Sequence, residues 1–336
     1  MTIPTLQAMT AHQRHAAGAV YGALIGDAAG GVLEFLGRQP TKSEALKALD
    51  MPGGGVFDLA PGQFTDDGEM TVTLLAALAS TSGIFDEDQV AKGYCDWARS
   101  DPFDIGIATR SALRGIDSPQ NSETMVEGIR RRARDNNLKS KANGSLMRAT
   151  PLGIAACRCT LDETIFISRR DAEFTHPNDA CVASTTAYVL ALRHLILSPK
   201  DNVGAIDAAR SYLSGHNSEV MQWLQDAEAG DLPAATPQAG FVRYGFTYAF
   251  HFLYHGFGFK KALIETLAMG GDTDTNACIV GGLLGAYHGL EGLPKGPLAK
   301  LFDCDTQKGQ PRPEAYTIGL ASSNLKKVLT YCIPTT

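Results

Sequence analysis

The sequence lacks any pairing pattern for its cysteines. There are seven, an odd number, at positions 95, 157, 159, 181, 278, 304 and 332, and no two stand as Cys-x-x-Cys. That argues against a disulfide framework and against a cysteine zinc site. Reduced, buried thiols in the cytoplasm are the expectation. A positive balance is missing too. The net charge is −6, so bulk electrostatics give nucleic-acid binding no support. The run Arg130, Arg131, Arg132 and Arg134 reads as a solvated helix face. The first fifteen residues, MTIPTLQAMTAHQRH, contain no apolar signal core. The most apolar early stretch, Ala16 to Leu33, holds Asp27 and several glycines. It reads as a buried helix and not as a membrane span. The phosphate-loop spacings GxGxxG and GxxxxGK[ST] are absent.

Alternating strand patterns are scarce, and helical patterns dominate. They fall near 12–34, 67–82, 87–99, 104–115, 122–134, 145–157, 161–170, 178–197, 203–213, 217–227, 240–255, 259–268, 274–288 and 318–332. Polar connections at 228–240 and 305–314 separate no regions of different composition. The expectation is one all-α domain over 1–336, a compact orthogonal helix bundle, with an N-terminal extension at 1–15 and a tail from about 305.

Two glycine ridges stand out. Gly18, Gly22, Gly26 and Gly30 recur every four residues, as do Gly281, Gly285 and Gly289. Each interior glycine costs a helix about 1 kcal/mol relative to alanine. Close approach of the two helix backbones is the gain that would offset it.

Two acidic clusters lie far apart: Phe64-Thr-Asp-Asp-Gly-Glu-Met70 and Gly270-Gly-Asp-Thr-Asp-Thr-Asn276. Each precedes a long apolar helical run. Helix capping explains either one alone, with Asp66 and Glu69 or Asp272 and Asp274 in the capping positions. Capping needs one side chain per helix, however, and adjacent aspartates repel unless a positive charge lies between them. Four converging carboxylates with Thr65 and Thr275 form an all-oxygen set. Such a set selects hard cations, Mg²⁺ or Mn²⁺. Two such ions can hold a substrate diol and activate a water.

These motifs resemble the ADP-ribosylglycohydrolases, most closely the bacterial dinitrogenase reductase-activating type. The likeness rests on Gly22 to Phe35, Phe64 to Met70, Asp101-Pro-Phe-Asp-Ile-Gly106, Asn143-Gly-Ser-Leu-Met-Arg148, Thr175-His-Pro177 and Gly270 to Asn276. They occur in the family's order. The chain departs from the pattern at Gly68, where threonine is common, and at Gly240-Phe241-Val242, where Gly-Tyr-Val is common.

The resemblance implies a central dinuclear cleft with Thr65, Asp66, Asp67, Asp272, Asp274 and Thr275 as metal ligands. It implies site roles for Asp66, Asp67, Asp104 and Glu34, with Asp104 at the scissile ribose and Glu34 near the metals. Asp27 reads as a buried polar anchor on the same helix face as Glu34. Asn143, Gly144, Ser145, Met147, His176 and Phe241 are expected to bind substrate, the backbone of 143–145 at the pyrophosphate and Phe241 at the adenine. Ser145 also reads as a helix cap, Phe241 as a core residue and Asp104 as an N-cap. The activity implied is removal of ADP-ribose from protein side chains, arginine first. Serine-linked ADP-ribose or O-acetyl-ADP-ribose is the alternative. A further alternative is an ADP-ribose-binding protein that neutralises an ADP-ribosyltransferase toxin. The expected partners are an ADP-ribosylated protein and ADP-ribose, with no nucleic acid and no membrane.

Overall fold

The computed structural model describes residues 9–115, 124–236 and 238–333. Among them sixteen α-helices follow one another with no β-strand; the only extended pairings are the isolated bridges Gly54–Leu59 and Ala142–Phe241. The fold is all-α. The helices are α1 (Ala11–Gly30), α2 (Lys42–Ala48), α3 (Asp66–Ser80), α4 (Glu87–Arg99), α5 (Ile107–Leu113), α6 (Met125–Asn137), α7 (Thr150–Ala155) and α8 (Leu161–Ala172). They continue as α9 (Asp179–Leu197), α10 (Asn202–His216), α11 (Ser218–Ala229), α12 (Val242–Tyr254), α13 (Phe259–Met269), α14 (Thr273–His288), α15 (Lys295–Phe302) and α16 (Ile318–Cys332). The part of the expected N-terminal extension at 1–8, the start of a helix at 122–123 and the tail residues 334–336 lie outside the described residues.

The antiparallel pair α1–α14 forms the centre, and the glycine ridges explain its closeness. A Cβ on Gly18 would lie 2.4 Å from the Gly285 carbonyl oxygen; one on Gly22 would lie 2.3 Å from that of Gly281. At Gly26 the figure is 2.0 Å, to the carbonyl oxygen of Ala277. No side chain fits there, so the backbones touch. This register carries the C-terminal end of α1 to the first turn of α14, where a Cβ on Gly30 would meet the Asp274 Cα at 2.3 Å. It is the step that brings the first glycine-rich segment to the second acidic cluster.

Helix α9 has the length and apolarity of a membrane span, with mean hydropathy 1.5 over its most apolar 18 residues, but 83% of that stretch is buried inside the fold. It is a core helix that packs against α8, α10 and α7.

Several sequence expectations are corrected. Helix α1 stops at Gly30, not at 34; a turn and the left-handed Phe35 (φ 53°) follow. Residues 11–15 are not an extension, because α1 begins at Ala11 and His15 is buried. Nor does 305–333 stand apart from the domain as a tail: α16, in the place expected for a helix, packs on α3 and Arg312 is buried. The helix expected over 145–157 begins only at Thr150. Helices α2 and α15 were not anticipated. Pro297 falls in the first turn of α15, where a proline forfeits no internal hydrogen bond. Arg130 is no solvated residue: it is buried, donates to Glu87 at 2.7 Å and lies 4.6 Å over the Phe174 ring.

Candidate functional site

Both acidic clusters sit at helix starts, yet neither caps its helix. Thr65 occupies the N-cap of α3 and Asp272 that of α14, and neither makes a side-chain capping bond. By contrast Thr10, Thr41, Thr124 and Thr160 all cap their helices through full capping boxes. At the two acidic starts the side chains turn toward each other instead.

Three overlapping groups of carboxylates result: Asp27, Asp67 and Asp274; Glu34, Asp272 and Asp274; and Asp66, Asp104 and Asp274. Within each group one oxygen per residue lies within 4.8 Å of the others. Asp274 belongs to all three. The Thr65 hydroxyl lies 2.8 Å from Asp27, 3.2 Å from Asp67 and 3.2 Å from Asp274. A hydroxyl has one proton, so at most one of these contacts is a hydrogen bond at any instant. Asp67 Oδ1 is buried and has no hydrogen-bond partner at all. Buried oxygens left short of donors in this way fit a site for hard cations.

Burial is the first cause of the titration behaviour here. It drives Asp66, Asp67 and Asp274 well above the usual carboxylate range, with neighbouring carboxylates adding to the effect. Asp27 is pushed up to about 7 by burial, against hydrogen bonds from Thr65 and Gly68 that pull it down. Glu34 reaches about 7 through burial and the charge of Asp272. Asp104 is raised by burial, offset by the Ile105 amide. A divalent cation would reverse these shifts, because it favours every ionised form.

Asp27 is the anchor anticipated, but a more central one. Its carboxylate accepts from the Thr65 amide at 2.9 Å and the Gly68 amide at 2.5 Å. It therefore ties α1 to the start of α3 and stands in a candidate cation group. In this arrangement a Cβ on Gly68 would lie 2.7 Å from Asp27 Oδ2, so a larger residue there needs the Asp27 and Phe64 side chains to shift. Glu34 lies in the turn beyond α1 and accepts from the Thr273 amide at 2.8 Å and the Thr273 hydroxyl at 2.9 Å. The Thr275 amide donates to Asp274 Oδ1 at 2.8 Å. Asp104 sits in the 101–106 loop; Gly106, not Asp104, is the N-cap of α5.

The Asn143–Arg148 segment is a tight turn in which Leu146 and Met147 amides bond back to the Asn143 carbonyl. Asn143 Nδ2 donates to Asp272 Oδ2 at 2.8 Å, joining this turn to the acidic centre. Ser145 is buried against Thr185 and is not a helix cap, and Met147 is buried. Phe241 is half-buried, edge-on to Trp223 and Tyr244.

His176 is a buried support beneath Gly144. Its protonation follows from its neighbours. Arg148 Nη1 donates to the Thr175 hydroxyl at 2.7 Å, so that hydroxyl has its own proton free for His176 Nδ1, 2.7 Å away. Where Thr175 is the donor, the imidazole carries its hydrogen on Nε2. Burial, reinforced by Arg148, lowers its pKa to about 3.

Several residues at the site were not singled out from sequence. Arg148 is fully buried, bonded to Asp171 and to the Gly144 carbonyl, and lies 4.5 Å over Tyr94. Asn276, in the first turn of α14, is buried with neither amide atom partnered. Phe35, Phe57 and Phe103 form an edge-to-face row beside Glu34 and Asp104 in the chain. Arg148 and Asn276 each close a motif that carries the family resemblance, and nothing local marked the aromatic row as part of the site.

Comparison with known proteins places this geometry. The sequence profile of the ADP-ribosylglycohydrolase family matches residues 8–324. The ADP-ribosyl-[dinitrogen reductase] glycohydrolase of Rhodospirillum rubrum is 27% identical over 291 residues, covering 86% of this chain and 90% of that protein. The ADP-ribosylarginine hydrolase Tri1 of Pseudomonas putida is 30% identical over 286 residues, covering 83% of this chain and 72% of that protein. A solved structure titled an ADP-ribosylglycohydrolase-related protein complex superposes with a TM-score of 0.71 at 24% identity, covering 95% of this chain and 100% of that one, and shares the fold. The chain belongs to the ADP-ribosylglycohydrolase family.

Proposed function

We propose that the chain is a divalent-cation-dependent hydrolase that releases ADP-ribose from arginine side chains of modified proteins. One observation carries the reading: carboxylates from four separate segments meet in one cluster, and a buried oxygen among them, Asp67 Oδ1, has no hydrogen-bond partner. Thr65, Asp66, Asp67, Asp272, Asp274 and Thr275 would hold two ions, Mg²⁺ or Mn²⁺. When bound, the ions supply positive charge that polarises the ribose hydroxyls and a water. Asp104, half-buried at the edge of the cluster, faces the sugar and stabilises the positive charge that grows on it as the bond to arginine breaks. Glu34, fixed by Thr273, holds or releases a proton beside the ions. Asn143 fixes the Asp272 carboxylate. The 143–145 turn receives the pyrophosphate, with Met147 and His176 behind it, and Phe241 offers an aromatic surface for adenine. The arginine linkage is supported by the name of one bacterial relative, the ADP-ribosylarginine hydrolase of Pseudomonas putida. The seven free thiols suit a cytoplasmic enzyme.

The test is release of free ADP-ribose from an arginine-ADP-ribosylated protein with Mn²⁺, with Mg²⁺ and with chelator. Serine-linked peptides and O-acetyl-ADP-ribose serve as parallel substrates. Cation-dependent release from arginine is expected. Asp66→Ala and Asp274→Ala should each lower it by about 10³-fold or more while circular dichroism stays close to the parent's. Release from serine alone would move the assignment to that linkage. ADP-ribose binding without release from any substrate would make the chain a binding protein, such as one that blocks an ADP-ribosyltransferase toxin.

A further inference from the structure

The C-terminal segment 309–316 lies against the back of the acidic centre. Gly309 approaches so closely that a Cβ would stand 2.0 Å from the Ala60 amide nitrogen. Gln63 donates to the Gln310 carbonyl at 2.6 Å and accepts from the Gln310 amide at 3.0 Å. The segment thus braces the loop that leads into Thr65. Its centrepiece is Arg312, whose side chain is 4% exposed. The guanidinium makes a two-point contact with Glu69, Nε to Oε1 at 2.7 Å and Nη2 to Oε2 at 2.9 Å. Glu69 stands one turn beyond Asp66 on α3. The remaining donors reach the other side: Nη1 to the Ser100 carbonyl at 2.9 Å and the Asp101 carbonyl at 3.3 Å, and Nη2 to Ser100 Oγ at 2.7 Å. Ser100 and Asp101 open the loop that carries Asp104. Trp97 closes the network by donating to Glu69 at 2.7 Å.

We propose that Arg312 is a positioning residue, which fixes the distance between Asp66 and Asp104 by clamping the first turn of α3 to the base of the 101–106 loop. The inference rests on the hydrolase reading above. A planar fork with five donors can make two contacts with a carboxylate, two with backbone carbonyls and one with a hydroxyl at once, whereas an ammonium has only three donors. Buried ion pairs of this kind are weak sources of net stability compared with apolar packing, and their best-supported use is to fix one arrangement among several. Loss of either partner alone leaves a buried charge, so the experiment must separate that cost from misplacement of Asp104.

Three variants do so: Arg312→Lys, Arg312→Met, and Arg312→Met combined with Glu69→Gln. The double variant removes both charges, and glutamine can still accept from Trp97. Each is assayed for Tm, for kcat and KM of ADP-ribose release, and for Mn²⁺ affinity by calorimetry, at a temperature where unfolded protein is below a few per cent. Arg312→Met is expected to lower Tm. The double variant is expected to recover most of the Tm yet keep kcat at least tenfold down and Mn²⁺ affinity at least fivefold weaker, with KM within about threefold. Arg312→Lys, which keeps the charge and loses the fork, should fold and lose about tenfold in kcat. Recovery of kcat and Mn²⁺ affinity together with Tm in the double variant would overturn the proposal and leave Arg312 as a counter-ion. Parental kcat and affinity in Arg312→Lys would overturn it as well. If the parent binds Mn²⁺ but cleaves no substrate, the affinity series alone decides. If the parent binds neither Mn²⁺ nor Mg²⁺, the hydrolase reading itself fails.

Discussion

His176 shows how one residue of this site couples to pH. Its Nδ1 lies 2.7 Å from the Thr175 hydroxyl, which accepts from Arg148. Protonation would put a charge into a fully buried site, next to the Arg148 guanidinium. The folded pKa is accordingly depressed to about 3 from an ordinary 6.5. Below pH 6.5 the unfolded chain binds a proton that the folded chain does not. Stability contributed by the neutral ring is therefore full above pH 6.5 and is lost as pH falls from there toward 3. The slope for one such group approaches about 1.4 kcal/mol per pH unit. Urea unfolding of the parent and of His176→Gln between pH 7 and pH 4, with the metal chelated, checks this. Glutamine can accept from Thr175 and does not titrate. The parent's stability should fall more steeply than the variant's by about 1 kcal/mol per unit below pH 6. Parallel curves would mean that His176 is solvated or already charged. None of this was legible in the sequence, where a histidine in a Thr-His-Pro turn looked like part of a cleft wall; the decisive partner, Arg148, lies 28 positions earlier.

At the scale of elements, the α1–α14 pair is where sequence spacing translated most directly into structure. Glycine at every fourth position implied a face without side chains, and the two faces meet backbone to backbone. The same logic failed for α2 and α15, each too short for periodicity to show, and for α7. There the Asn143–Arg148 turn has apolar spacing like a helix but is held by Arg148 and Asp171. The glycine faces also yield opposed predictions for one chemical change. Glycine to alanine in an open helix stabilises by up to about 1 kcal/mol. Gly215 in α10 has nothing near a built Cβ, so Gly215→Ala should raise the unfolding free energy by a few tenths to about 1 kcal/mol. Gly22→Ala must instead push apart helices whose carbonyl oxygen lies 2.3 Å from the new atom. Overpacking of a rigid interface costs about 1–3 kcal/mol or more, so a net loss above about 2 kcal/mol is expected. Chemical denaturation of both variants tests the pair. A stabilised Gly22→Ala would show that the α1–α14 contact gives way easily and does not fix the register of the site.

For the whole molecule, the candidate centre is a junction of α1, α3, α14 and the 101–106 loop, and its parts come from residues as far apart as Asp27 and Asp274. The acidic motifs of the candidate centre were legible because each is local: Thr65-Asp66-Asp67 and Asp272-Thr273-Asp274-Thr275 can be read as short strings. What was not legible is what joins them. Asp27 is recognisable as a site member only once Thr65 and Gly68 are seen to donate to it, and Arg312 only once it is seen beside Glu69, 243 positions away. The junction also ties function to stability. Without cations the fold must bury carboxylates that repel one another, a cost shown by the upward shifts of Asp66, Asp67 and Asp274. Cations that bind the folded chain and not the unfolded one add about 2.7 kcal/mol when present at a hundred times their Kd. In a chain of this length that corresponds to a Tm rise of several degrees. Thermal unfolding with chelator, then with Mn²⁺ or Mg²⁺, should show this rise and its reversal on chelation. Asp274→Asn, which touches all three carboxylate groups, should behave in two ways at once. Its metal-free Tm should equal or exceed the parent's, because one repelling carboxylate is gone, and added Mn²⁺ should shift it little. A parent whose Tm ignores both cations, or an Asp274→Asn that is less stable without metal and still responds to it, would mean that hydrogen bonds and not ions hold these carboxylates together.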